Sequence, residues 1–511
     1  MKVRVALALL SLAAPAWGDA LEAARVYRVA HGAEILGRFA ELLAIPNVAS
    51  DTAGIRKNAD YLVERFRERG VSTRLLTLDG APPIVLGEWR AAGARRTLGV
   101  YVHYDGEPTD PADWITAGHW KPALYSARHD EGGREVAFPK PGEAVDPEWR
   151  IYGRSAGDDK APLIALLTVL DVFRQEKIEP AWNVKFFFDG EEEDSSPHLE
   201  EYLRVYRDQV DDIDLWLFCD GPVHQSRRAQ VLFGVRGITG LEVTVYGANR
   251  PLHSGHYGNW APDPGVTLAR LLASMKDESG RVLIEGFYDT AAPIGEEERA
   301  ALARLPSYDA ELRRELGLAA TELRNAPLAE RILLPALTVH GLSSGNTGEL
   351  ARNIIPATAT ATLGIRLVAG NDPDQMTGLV EAHIRKHGFH IVRDDPDTDT
   401  RLTYARVAKV TRKAGYRAAR TPMNNPLARQ VIAAVNRVVE EPVLEVPALG
   451  GTLPLYLFTD VLRKPVLILP IANHDNNQHA ENENLRLANL WYGIDMFASV
   501  FANSGAEPPT K

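Results

Sequence analysis

Between residues 73 and 220 the chain alternates short apolar runs with amphipathic stretches. Runs at 74–78, 84–89, 97–103, 184–188 and 215–218 are rich in β-branched and aromatic residues and predict strands. Between them, Leu163, Leu166, Leu167, Leu170 and Phe173 recur at three- and four-residue spacing and predict a helix over 160–175. A second helix is expected at 199–210. Continuously apolar strands separated by helices imply a largely parallel sheet covered on both faces.

The pattern changes near Gly237. Residues 241–246 alternate like a half-buried strand, 264–275 reads as a helix, and 357–367 alternates Thr with Ala or Leu. Such alternation suits an antiparallel sheet with one face on helices. Beyond about residue 406 the helix–strand style returns, at 427–438, 466–469 and 485–501. The expected fold class is α/β: a mostly parallel-sheet domain (21–237 and 406–511) interrupted by a smaller α+β domain (238–405). Residues 107–150, dense in Pro, Gly and charge, predict a long loop of the kind that often carries function.

Composition narrows the function. Of 511 residues, 45% are hydrophobic and 24% charged, an ordinary globular balance. The net charge of -11 argues against nucleic-acid binding, which needs clustered basic surface. The single cysteine, Cys219, excludes an intrachain disulfide framework. Lys2 and Arg4 precede an apolar run over 5–14, with small residues at Ala16 and Gly18. This reads as a secretory signal peptide over 1–20, cut near Gly18–Ala20, giving an exported, periplasmic or secreted protein. The run is shorter than the ~20 residues that span a bilayer, so no membrane span is expected. A lone thiol suits an oxidising compartment if Cys219 is buried.

Four polar clusters fall where predicted strands end, which is where open α/β sheets bind ligands. His103 and Asp105 close the strand 97–103, two residues apart and therefore on one side. Asp158 and Asp159 open the helix at 160, exceeding what a helix cap needs. Asp189-Gly-Glu191-Glu192-Glu193-Asp194 follows an apolar strand, where coordination of a cation relieves the repulsion among the carboxylates. Asp220 follows the run at 215–218. Near the C-terminus, His474 and His479 share one loop, offering two ligands or none. Imidazole and carboxylate without a thiolate set suit zinc, cobalt or manganese. A competing signal, Gly341-Leu-Ser343-Ser-Gly345, matches the G-x-S-x-G pattern, but a nucleophile elbow needs a helix where the sequence leads into another strand.

Taken in order, His103-Tyr-Asp105, Gly153-Arg154…Asp158-Asp159-Lys160, Gly190-Glu-Glu192-Glu193, Asp220, Leu252-His253-Ser254-Gly255 and His479-Ala-Glu-Asn-Glu483 resemble the co-catalytic di-zinc peptidases. This is the family of carnosinases, glutamate carboxypeptidases and aminoacylases, and Asp110-Pro-Ala-Asp-Trp114 is similar to its carnosinase-like dipeptidase branch. The resemblance implies two divalent metal ions, zinc foremost with manganese or cobalt as substitutes. Asp158 would bridge them, His103 and Asp220 would complete one site, and Glu193 and His479 the other. Asp105 would orient His103, and Glu192 would be the general base. Two divalent cations against the carboxylates of Asp158, Glu193 and Asp220 leave one positive charge, which a bridging hydroxide would neutralise. His253, in a ferredoxin-like lid, would reach the scissile carbonyl, often from the partner of a homodimer formed through that lid. Arg366 would grip the substrate carboxylate, with Asn353, Gly451 and Thr452 lining the substrate. The activity implied is hydrolysis of dipeptides or short peptides. The same site could instead deacylate N-acyl amino acids, and an inactive binding protein would need a lost ligand that this chain does not show. His474 matches no family ligand, and Ala161 and Ser195 stand where the family has Gly.

Overall fold

The computed structural model describes residues 17–503, so the expected leader lies outside the described residues up to position 16. Gly18 and Ala20, the expected cleavage region, stand in the first helix, Trp17–Ala30. The chain divides into two compact units.

The first unit is built on a sheet ordered Ser72–Leu76, Ile84–Trp89, Asn183–Asp189, Thr97–His103, Leu215–Phe218 and Val466–Ile468. Gln230–Leu232 and Leu444–Val446 complete it. Thr97–His103 pairs in parallel with both Asn183–Asp189 and Leu215–Phe218, which in turn pairs in parallel with Val466–Ile468. The edge is antiparallel, because the short link after Leu76 permits only a hairpin return to Ile84. Every residue of Thr97–His103 is buried, which explains its unbroken apolar run. Gly99 belongs there because the Trp216 ring lies 2.6 Å from where a Cβ would stand. The helix Lys160–Glu176 is buried from Lys160 to Leu170. Trp89 holds the sheet against Phe173 of this helix and Phe501 of Leu487–Ala502, with rings 5.4 and 6.0 Å apart. Cys219 is buried.

The stretch 107–150 is more ordered than a loop. Ala123–Tyr125 pairs with Glu135–Val136 and with Arg150–Tyr152, which pairs with Asn484–Arg486. This small sheet fastens the stretch to the segment that follows His479.

The second unit comprises Leu232–Met423 and Glu445–Arg463. Its sheet runs Ala336–Ser343, Thr358–Leu367, Gly237–Tyr246, Val407–Tyr416 and His390–Val392. Ala359, Ala361, Leu363, Ile365 and Leu367 point into its core at period two, with Leu268 and Leu271 of one helix and Met376, Val380 and Ile384 of another. The boundary expected at 405 is therefore corrected. Val407–Tyr416 extends this sheet, pairing from Val245↔Ala408 to Ile238↔Tyr416. Gly451 and Thr452, expected in the catalytic domain, also belong to the second unit. No helix of the described residues is long and apolar enough to cross a membrane.

Candidate metal centre

The parallel strands of the first unit end on one side, and their C-terminal ends deliver the polar residues together. His103 is the last residue of its strand. Glu192 and Glu193 lie in the turn after Asn183–Asp189, and Asp220 follows Leu215–Phe218. Asp158 precedes the helix Lys160–Glu176, and His479 lies in the loop before Asn484–Arg486.

Asp158 is the hub. Its Oδ1 lies 2.8 Å from His103 Nε2 and its Oδ2 lies 3.2 Å from His479 Nε2. Glu193 Oε2 is 3.2 Å from the same His479 nitrogen. Three overlapping groups each offer ligand atoms within 4.8 Å of one another: His103 with Glu192 and Asp220, His103 with Asp158 and Glu193, and Glu107 with Glu193 and His479. His103 is fully buried, whereas the His479 side chain is 54% exposed, so this end of the cluster opens to solvent.

The electrostatics are those of a cation site. Burial, reinforced by the Asp158 charge, pushes Glu193 up to about 9 and Asp220 up to about 7. Burial pushes Glu192 well above the carboxylate range; the neighbouring His103 opposes this, while Asp220 and Glu193 add to it. Burial would also raise Asp158, but hydrogen bonds with His103 and His479 hold it well below the usual carboxylate range. So many buried carboxylates in one pocket stay ionised only beside compensating positive charge, and oxygen and imidazole donors suit a divalent ion.

Buried groups around the cluster fix its geometry. Asp105 lies 3.2 Å from His103 Nδ1, and its two oxygens accept the backbone N–H groups of Glu192 and Glu193 at 3.1 and 3.0 Å. One carboxylate thus orients an imidazole and the glutamate turn together. Glu483, fully buried, accepts from Arg154 Nη1 at 2.7 Å and from the N–H groups of Ser155, Gly157 and Asp158 at 2.8, 2.8 and 2.9 Å. Glu191 ties the glutamate turn to His198 through its backbone N–H and its ring, both at 2.9 Å. Lys160 does not neutralise the neighbouring aspartates. Its buried ammonium donates to the carbonyls of Leu42 and Ile45, and burial pushes it down to about 7.

The structure therefore gathers His103, Asp105, Asp158, Glu192, Glu193, Asp220 and His479. Of the other named residues, His474 lies in the first unit but in none of these groups, and His253, Asn353, Arg366, Gly451 and Thr452 lie in the second. His253 is exposed on a two-residue ladder with Ile354, and Asn353 accepts the N–H of Ser254 at 3.0 Å. Arg366 stands on Thr358–Leu367, and Gly451 accepts the N–H of Arg236 at 3.2 Å. Thr452 follows Gly451 in the same loop. Ser343 ends a largely exposed strand that leads only to a three-residue 3-10 turn, Gly348–Leu350, and then to the strand Ile354–Ile355, not into the α-helix that a nucleophile elbow requires. Glu107 is the ligand-type residue that the sequence reading missed, although it stands at period-two spacing beyond His103 and Asp105.

Residues 100–503 match the model of peptidase family M20/M25/M40. The chain belongs to this family. It is a hydrolase of the carnosinase-like branch. It is 25% identical to the Cys-Gly metallodipeptidase dug1 of Schizosaccharomyces pombe, over 91% of this chain and 94% of that protein. It is 25% identical to the Beta-Ala-His dipeptidase of Homo sapiens, over 82% of this chain and 77% of that protein. Among solved structures, the M20 family metallo-carboxypeptidase Sso-CP2 of Sulfolobus solfataricus superposes with a TM-score of 0.72 at 26% identity, covering 92% of this chain and 98% of that one.

Proposed function

We propose that this protein is an exported, metal-dependent peptidase that hydrolyses dipeptides or short peptides bearing a free carboxylate. The observation that carries the reading is Asp158, each of whose oxygens faces an imidazole within a buried carboxylate cluster. The dipeptidase relatives support the substrate class.

Asp158 would be shared by two ions, with His103 and Asp220 on one side and Glu193, His479 and Glu107 on the other. Zinc suits this donor set best, and manganese or cobalt also fits. Such ions supply Lewis-acid polarisation of the amide carbonyl and a lowered pKa for water. Glu192 takes the proton of the attacking water and returns it to the leaving amine. Asp105 keeps the His103 ring and the glutamate turn in register for that transfer. His253, contributed across a homodimer formed through the second unit, donates to the developing oxyanion. Arg366 holds the substrate carboxylate by a bidentate contact that Lys cannot reproduce. Asn353, Gly451 and Thr452 line the substrate. Export is supported by the basic and apolar start of the chain.

The test strips the purified protein of metal, reloads it with Zn²⁺, Mn²⁺ or Co²⁺, and assays free dipeptides, amidated dipeptides and N-acyl amino acids. Metal-dependent cleavage of free dipeptides over amidated ones is the expected result. Cleavage of N-acyl amino acids alone would replace the reading with deacylation, and absence of bound metal would overturn it.

A further inference from the structure

Within the second unit a cavity of about 380 Å³ opens beside the strand Ala336–Ser343. Its wall is mainly apolar, with Leu312, Leu316, Leu328, Ile332 and Leu337 among its residues. A cavity of roughly 150 Å³ takes up benzene, so this one accommodates a substantially larger apolar group.

Its polar features have one sign in excess. Arg236 and Arg331 both line the cavity, and the Nε of each is buried without a hydrogen-bond partner. Among the described residues neither guanidinium has a carboxylate within ion-pair distance; that of Arg236 donates only through Nη2 to the carbonyl of Leu334, at 2.9 Å. Burial and the nearby Arg366 push Arg236 down to about 10. Arg366 itself pairs in the ladder with Ala336, another wall residue. The acidic wall residues are already committed. Glu322 receives Lys276 Nζ at 2.7 and 2.9 Å, and Asp309 accepts the N–H of Leu328 at 2.8 Å. Unpaired guanidinium in an apolar wall is costly, and an anion that brings its own apolar body relieves both deficits.

We propose that this cavity binds an apolar carboxylate, its hydrocarbon body among the leucines and its carboxylate on Arg236 and Arg331. Two sources share that chemistry: a free aliphatic acid, and the C-terminus of a peptide ending in a large apolar residue. The site stands on the second unit alone and does not rest on the dipeptidase reading.

Calorimetric titration of the metal-loaded protein with hexanoate, octanoate and decanoate tests it, with decanol as the uncharged control. Affinity should rise about fourfold per added methylene until the cavity is filled. Decanol should bind at least tenfold more weakly than decanoate, and Arg331→Gln should cost decanoate about tenfold. Leu316→Asp should abolish binding, with circular dichroism confirming an intact fold; if that variant does not fold, Arg331→Gln carries the test. A Gly-Phe analogue with its amide reduced to an amine supplies the peptide arm. Its binding in preference to decanoate, lost in Arg331→Gln, assigns the cavity to peptide termini. Binding of neither, decanol as tight as decanoate, or indifference to Arg331→Gln overturns the proposal. Turnover is not read, so failure here is separate from failure of the peptidase assay.

Discussion

At the residue scale, chemistry and geometry are assigned to different carboxylates. Glu192 is read as the proton carrier, so Glu192→Gln should keep near-normal metal content by elemental analysis while kcat falls about 10²–10⁴-fold. Undiminished turnover would remove Glu192 from that role. Glu483 touches no reacting atom but gathers four donors, including the N–H of Asp158. Glu483→Gln turns one of its acceptor oxygens into a donor against those N–H groups. It should weaken metal binding about 10–100-fold in a competition titration with a chelator, and Glu483→Asp should not restore it. The cluster was legible in the sequence because His103, Glu192, Glu193 and Asp220 close or follow apolar strands, while Asp158 at a helix start and His479 in a loop each sit in a short motif. Glu107 was less legible, since its period-two spacing from His103 and Asp105 runs past the end of the strand into a loop rich in Pro and Gly, where that spacing no longer fixes a side. Nor does sequence reveal that Glu483, rather than Lys160, answers the needs of the Asp158 turn.

At the element scale, the legible features were those written as uninterrupted periodicity. Thr97–His103 and Leu215–Phe218 are buried along their whole length, and their apolar runs coincide with the strands. Val407–Tyr416 alternates too irregularly to announce its sheet, because five consecutive residues of it are exposed. Its ladder with Gly237–Tyr246 places it, and Arg412 ties it to the helix Pro373–Lys386, where with Arg393 it embraces Glu381 at 2.8 and 2.9 Å. Burial would raise Glu381, but these hydrogen bonds dominate and hold it at about 2. A carboxylate depressed in the folded state stabilises above its unfolded pKa and loses that contribution as pH falls through the folded value. Glu381→Gln should therefore destabilise the second unit by about 1–3 kcal/mol near pH 7, with the deficit closing between about pH 4.5 and 2. Urea midpoints of both proteins across that range measure it, and a deficit independent of pH would refute the assignment.

At the scale of the whole molecule, the same carboxylates that would bind metal make the metal-free first unit unstable in alkali. Glu193 at about 9 and Asp220 at about 7 are raised above their unfolded values by burial and by Asp158. Groups raised on folding contribute stability that is complete below their unfolded pKa and lost as pH rises through the folded one. Metal-free protein should thus weaken steadily from about pH 5 to 9, as the cluster is forced to ionise without a counter-charge. Divalent ions that bind only the folded chain add about 4 kcal/mol at a thousandfold excess over Kd and supply that counter-charge. For domains of this size the gain corresponds to roughly 8–16 °C in the first thermal transition. The expected signature is a gap in transition temperature between zinc-loaded and metal-free protein that widens from pH 6 to pH 8.5. Because zinc binding requires deprotonated ligands, it should also release protons, detected as a buffer-dependent heat on titration. A gap constant with pH would separate the raised carboxylates from the metal and show that their charge is relieved by protein groups instead.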